Sequence, residues 1–254
     1  MRRIAVLAIV VLAPLVAGCG TGAPKPLRSP TAAATFAVSG TDPIPRATEL
    51  PSGARIVLAA VGRRFHVFDA PEPGLRPRSL RATNDWGQQL WLPVIGSRVV
   101  DGDGWFHVLL PERPNGSTGW LAADQVSTST IEDRIVVRLE AHELILHDGE
   151  RPVRRIEVAI GKPSTPTTPG RFFVWARVGY GDVQGPYGNY ALGLSGFSDV
   201  ITDWPGGGRM AIHGTADPSI AGLDVSNGCV RVYNPLMARL IGVPMGTTVI
   251  IRRR

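Results

Sequence analysis

The chain from residue 52 to its end is cut into short runs in which apolar and polar residues alternate, and this punctuation most limits the folds open to it. RIVLAAV (55–61), RFHVFD (64–69), LWLPVI (90–95), WFHVLLP (105–111), RIVVRLE (134–140) and ELILHDG (143–149) each last only a few residues. Turn signals such as DGDG at 101–104 and RPNGSTG at 113–119 stand between them. Alternation with period two predicts half-buried strands, and clusters of Gly, Pro, Asn and Asp predict the turns that join them. With 30 Gly and 22 Pro in 254 residues, few windows are long enough for a helix. NPLMARLIG at 234–242 is the one good helical stretch, with Asn234 a suitable N-cap and Pro235 at the first helical position. The expectation is a mainly β protein.

Four segments follow from the patterning. Arg2 and Arg3 precede an apolar run from Ile4 to Val16, then Ala17, Gly18 and Cys19. A charged start, a short apolar core and small residues at the end predict an export signal over 1–19. The run is shorter than the ~20 apolar residues a spanning helix needs. Within it LVAGC resembles the lipobox of bacterial lipoproteins, which implies that Cys19 carries a lipid. By that resemblance the protein is exported and anchored to the cell membrane, facing the cell wall or periplasm. Residues 20–51 are rich in Ala, Thr, Pro, Ser and Gly. Such a segment buries too little surface to offset its ordering entropy and is expected to be a flexible tether. Residues 52–128 suit a small barrel or sandwich, with Trp91, Trp105 and Trp120 expected in its core rather than as ligand platforms. A second β-rich unit spans 131–254: a turn at Glu140–His142, then strands at Gly170–Val178, Asn189–Leu194 and GTTVIIRRR.

Charge and composition exclude some functions. The net charge is +6 and the pI near 10.0, but Lys and Arg are scattered and no run interleaves them with stacking aromatics. Nucleic acid is not an expected partner; mild basicity suits anionic lipid or wall polymers. No Cys/His cluster has zinc-ligand spacing, so no metal and no cofactor are expected.

If Cys19 carries lipid, Cys229 has no disulfide partner in an oxidising compartment. Such a cysteine is either buried and inert or a reactive thiol. A thiol of ordinary pKa, about 8.5, needs a neighbouring base or cation for activation. Of five histidines, His66 and His107 alternate with apolar residues and read as structural, and His142 and His147 flank a turn and read as exposed. His213 follows the apolar MAI and precedes Gly214-Thr215, as a side chain at a strand end opening into a loop would. Gly228 before the cysteine allows a tight turn that aims backbone N–H groups at one point, as an oxyanion requires. Arg231, two residues past Cys229, would share its face on a continuing strand and place a bidentate carboxylate binder beside it. Ser226 is either a hydrogen-bond partner within this loop or a turn residue. Tyr190 either lines a groove or is buried in a strand. Asp203 and Asp217 read as loop residues.

His213 precedes Cys229 by fifteen intervening residues, and the cysteine lies in SNGCVR. Together with VAIGKPSTPTTPGRFFV at 158–174 and GPYGNYALGL at 185–194, in that order, these stretches resemble the signature of the L,D-transpeptidase catalytic domain of bacterial cell-wall enzymes. The resemblance covers 131–254 and implies a β-sandwich with a small helical element. DGDGWFHVLLPERPNGSTGWL in the preceding unit resembles bacterial Src-homology-3-like modules. By resemblance Cys229 is the nucleophile and His213 its base, oriented by the Gly214 carbonyl. The N–H groups of Gly228 and Cys229 form the oxyanion hole, and Arg231 positions the donor. Ser226, Asn227 and Tyr190 are expected on the substrate side; many members carry His where this chain has Asn227. The implied reaction is acyl transfer between peptidoglycan stem peptides through a cysteine thioester, with carbapenem-type inhibitors expected to acylate the thiol. Two alternatives stay open: an L,D-carboxypeptidase, in which water resolves the thioester, and a non-catalytic, lipid-anchored wall-binding protein.

Overall fold

The structure, a computed structural model, describes residues 55–204 and 206–254; the expectations for Cys19, the export signal and the tether lie outside the described residues. Strand dominates, as the punctuation requires. The first unit holds β1 (Arg55–Ala60), β2 (Arg64–Val67), β3 (Arg78–Arg81), β4 (Leu92–Val100), β5 (Asp103–Leu109), β6 (Thr118–Ala122) and β7 (Val126–Ile131). Five of these form an antiparallel sheet in the order β6-β5-β4-β1-β7, and β2 pairs with β3 as a hairpin.

The second unit holds β8 (Asp133–Arg138), β9 (Glu143–Asp148), β10 (Arg151–Glu157), β11 (Ile160–Gly161), β12 (Gly170–Gly179), β13 (Tyr190–Phe197), β14 (Arg209–Thr215), β15 (Asp224–Ser226), β16 (Val230–Tyr233), α1 (Asn234–Met237) and β17 (Thr248–Arg252). Eight strands make one mixed sheet in the order β10-β9-β8-β17-β12-β13-β14-β16, while β11 and β15 pair in parallel beside it. The pairs β8–β17 and β14–β16 are parallel.

The helical stretch is shorter than expected. Four residues are α-helical and Ala238–Leu240 continue as a single 3-10 turn. Asn234 is not the cap: Tyr233 precedes the helix, and the Asn234 amide accepts from Asn189 N at 3.1 Å and donates to Val183 O at 2.8 Å. Its tertiary partners outcompete the local N-cap bond. His142 is not simply exposed either, since its Nε2 lies 2.7 Å from Asp224 Oδ1, and His147 is half-buried on β9. Of the three tryptophans expected in the first core, Trp105 is buried, whereas Trp91 and Trp120 are half-buried and His107 stacks on Trp120 at 4.6 Å.

Strand β12 joins the two units. Phe172 and Val174 pack into the second core with Leu192, Ile212 and Val230, while Phe173 and Trp175 pack into the first core with Leu90 and Phe106. A strand covered on both faces reads as a continuous apolar run, which RFFVWA is. Each such side chain contributes ~1.5–3 kcal/mol by leaving water. Pairing of β12 with β17 stops at Phe173. Beyond it, side-chain amides of the first unit cap the strand edge. Asn84 Nδ2 donates to Trp175 O at 2.9 Å, Gln88 Nε2 donates to Arg177 O at 2.6 Å, and Gln88 Oε1 accepts from Arg177 N at 3.1 Å.

A second clamp lies nearby. Asn115 accepts from Phe197 N at 2.9 Å and donates to Phe197 O at 2.8 Å. The Arg113 guanidinium donates to Ser198 O and Gly207 O, both at 3.0 Å.

Candidate active site

Two parallel strands at one end of the large sheet carry the expected residues. In the β14–β16 register Ile212 lies opposite Val230, and His213 opposite Arg231. Side chains alternate along each strand, so Ile212, Val230 and Val232 enter the core while His213, Cys229 and Arg231 share the other face. That face is one wall of a cleft of about 600 Å³, which Asn227 also lines. Its floor is built from Ala176, Ala191, Gly193 and Ala211. Small residues at the cleft-facing positions are what leave the space open.

His213 is buried, and its Nδ1 lies 2.8 Å from Gly214 O. A carbonyl only accepts, so Nδ1 carries the proton and Nε2 keeps its lone pair. Burial, with a smaller push from the Arg231 charge, lowers the His213 pKa to about 4. The imidazole is therefore neutral near pH 7 and able to take a proton. Tyr187 meets the ring in a T-shaped contact, 5.2 Å between centroids and 75° between planes, and Tyr187 in turn stacks on Tyr180 at 5.4 Å.

The space around His213 also explains the glycine after it. A Cβ on Gly214 or on Gly188 would collide with Asn234 Oδ1. Asn234 thus ties the β14 end, the turn before β13 and the helix start together, and no side chain fits between them.

Cys229 sits at the mouth of β16 in a loop closed on itself. Ser226 Oγ donates to Cys229 O at 2.5 Å and accepts from Gly228 N at 3.1 Å. Gly228 has φ +105°, a conformation open to glycine. The loop is braced from below by residues 160–167: Lys162 N donates to Ser226 O at 3.0 Å and Thr165 Oγ1 to the same oxygen at 3.2 Å. Gly161 N donates to Thr167 Oγ1 at 2.8 Å, folding that brace. Burial raises the Cys229 thiol pKa, opposed by a backbone hydrogen bond at Ala211 and by the Arg231 charge. Arg231 Nε is buried without a hydrogen-bond partner, a donor whose desolvation costs ~1–3 kcal/mol until something accepts from it.

Three sequence expectations need correction. The Gly228 N–H is engaged by Ser226 Oγ, so of the two expected oxyanion donors the Cys229 N–H is the one this loop leaves to be used. Ser226 is fully buried and serves the loop, not a substrate surface. Tyr190 stands on the opposite face of β13 from the cleft: its neighbour Ala191 pairs with His213, while Tyr190 packs against the core and accepts from Arg177 Nε at 3.0 Å. Among the described residues no group of three or more His, Cys, Asp or Glu could hold a metal.

Sequence reasoning missed two pairs of residues. Tyr180 and Tyr187 flank the site from the loop that follows β12, and Asp85 and Trp86 reach the same cleft from the first unit. The PYG sequence around Tyr187 was the available signal for the former; nothing local marks the latter.

Comparison with known proteins bears on this geometry. The model of the YkuD family, the L,D-transpeptidase catalytic domain, matches residues 132–251. Two curated relatives named L,D-transpeptidase YkuD, from Bacillus licheniformis and Bacillus subtilis, are each 34% identical to the chain. The matches cover 56% and 57% of this chain and 84% and 85% of theirs. Among solved structures, the Enterococcus faecium L,D-transpeptidase aligns at 26% identity with a TM-score of 0.37, over 47% of this chain and 49% of that one.

Proposed function

The chain belongs to the L,D-transpeptidase family, and from that premise we propose that Cys229 and His213 carry out acyl transfer between peptidoglycan stem peptides. The observation that supports this most is the pinned imidazole. With Nδ1–H held by Gly214 O, Nε2 is the free basic atom in a cleft it shares with the thiol.

The chemistry follows from neutral partners. Cys229 Sγ attacks the carbonyl carbon of the third stem residue as its proton passes to His213 Nε2, so no thiolate need exist beforehand. The carbonyl oxygen gains negative charge and accepts from the Cys229 N–H. Collapse of the adduct breaks the amide bond, and the departing amine of the terminal D-alanine takes the proton from His213. Cys229 now holds a thioester. A side-chain amine of a second stem attacks it, passes a proton through His213 to the sulfur, and leaves as the cross-linked product. Arg231, whose Nε lacks a partner, is suited to the terminal carboxylate of the donor.

Intact-protein mass spectrometry of the full chain with a carbapenem tests the reading. The parent is expected to gain one adduct, Cys229→Ala none, and His213→Ala an adduct formed about 10²-fold more slowly. A folded parent that stays unmodified would sink the cysteine mechanism. Products from stem peptides then decide the acceptor: cross-linked dimers for an amine, trimmed tripeptides for water.

A further inference from the structure

The residues given chemical roles above all lie within the matched span 132–251, yet the cleft does not end there. Asp85 and Trp86 of the first unit line it too, as does Trp204 of the second. Trp86 is 56% exposed and Trp204 49%, two indoles left facing solvent beside a cavity.

Trp86 is held there by a built frame. Asn84, 7% exposed, accepts from Trp86 N at 3.0 Å and from Gln88 N at 2.9 Å through Oδ1, while its Nδ2 bonds Trp175 O. The frame thus fixes the loop to β12 with Trp86 at its tip. The Trp86 ring meets Trp175 edge-on, 5.6 Å between centroids and 73° between planes. Trp204 is placed from the same side, because the segment that carries it is the one Arg113 and Asn115 clamp.

The cleft carries charges of both signs. Arg231 lies two residues past Cys229 on the same face, and Asp85 lies next to Trp86 in the chain. Arg209 lines the cleft as well, but its guanidinium is stacked 3.8 Å from the Trp175 ring centroid and donates to Leu194 O and Pro111 O, so it is committed to the protein. Asp85 lies within electrostatic reach of it and offsets its charge. A carboxylate suits Arg231. Exposed indole faces beside a carboxylate suit a cation, since the ring face attracts ammonium groups.

We propose that Trp86, Trp204 and Asp85 form the acyl-acceptor subsite, holding the stem peptide whose side-chain ammonium becomes the attacking amine. This rests on the acyl-transfer reading. It makes the first unit part of the substrate site and gives it a task separate from acid–base chemistry. The acceptor is drawn in as a cation by the indole faces and releases one proton to solvent; its neutral amine then attacks the thioester, and the second proton passes through His213 to the sulfur.

The test is how the thioester partitions. The full chain is incubated with a tetrapeptide donor stem ending in D-alanine and with an acceptor stem bearing a free side-chain amine, and dimers are counted against trimmed donors. Trp86→Ala is expected to lower the dimer-to-trimmed ratio about tenfold, with the KM for acceptor rising, and Trp86→Phe to restore most of it. Trp204→Ala, on the other unit, shifts the ratio the same way, so misfolding of the first unit cannot account for both. A loss shared equally by dimers and trimmed donors, or an unchanged ratio, overturns the subsite while leaving the cysteine mechanism standing. A parent without a carbapenem adduct removes both.

Discussion

Burial holds His213 neutral, and the same burial makes it a pH-sensitive part of the fold. Its pKa falls from 6.5 to about 4 on folding. Between those values the unfolded chain binds a proton the folded chain refuses, so stability is gained as pH rises through this window and lost as it falls, by on the order of 3 kcal/mol. Asp133 acts in the opposite sense. Burial and the charges of Asp148 and Glu132 raise it from 3.8 to about 6, so the folded carboxyl keeps a proton the unfolded one has released, and stability declines as pH rises through that range. A plain stability profile would mix the two. Comparing the parent with His213→Gln isolates the first: in urea unfolding, the parent is expected to gain on the variant between pH 4.5 and 7. A constant difference would contradict a buried, neutral imidazole.

The elements at the site are arranged by close approach. Gly161 on β11 has no room for a Cβ, which would strike Thr165 O, Thr167 N and Pro166 C. That brace carries Ser226, and Ser226 carries the Cys229 loop. Gly161→Ala is therefore expected to cost ~1–3 kcal/mol from overpacking and to slow carbapenem acylation ~10²-fold in protein that is still folded. Near-parent stability and rate would show that the brace does not set the loop. Much of this was readable in sequence. HG, SNGC and the GKPSTPTTPG stretch are local, because each is a tight backbone feature needing particular residues in a row. The parity of YALGL was readable too: small residues at 191 and 193, large ones at 190, 192 and 194, placing Tyr190 on the core side. Asn234 was not, since its partners at 183 and 189 are brought to it only by the fold. Period and propensity describe neighbours along the chain and are silent on such meetings.

At the scale of the molecule, the two units share β12, whose side chains enter both cores, and two side-chain clamps, so neither core is complete alone. Calorimetry of the parent is expected to give one unfolding transition. Asn84→Ala leaves Trp175 O without its donor, at ~1–3 kcal/mol, and is expected to lower the midpoint or split the peak. A single peak at the parent temperature would mean that the units are coupled elsewhere. The frame that joins them has another property. Asn84 and Gln88 grip β12 and each other through their own side chains and main-chain groups, and Gly87, at φ +70°, completes the turn. Positions 85 and 86 add to its hydrogen bonds only the main-chain bond at Trp86, beside the edge-on contact of the Trp86 ring with Trp175. The hydrogen-bonded frame therefore does not depend on which side chains stand at these two positions, and on the proposed acceptor reading lineages can retune the acceptor there, losing only the ring contact with Trp175, while the reaction centre is inherited unaltered.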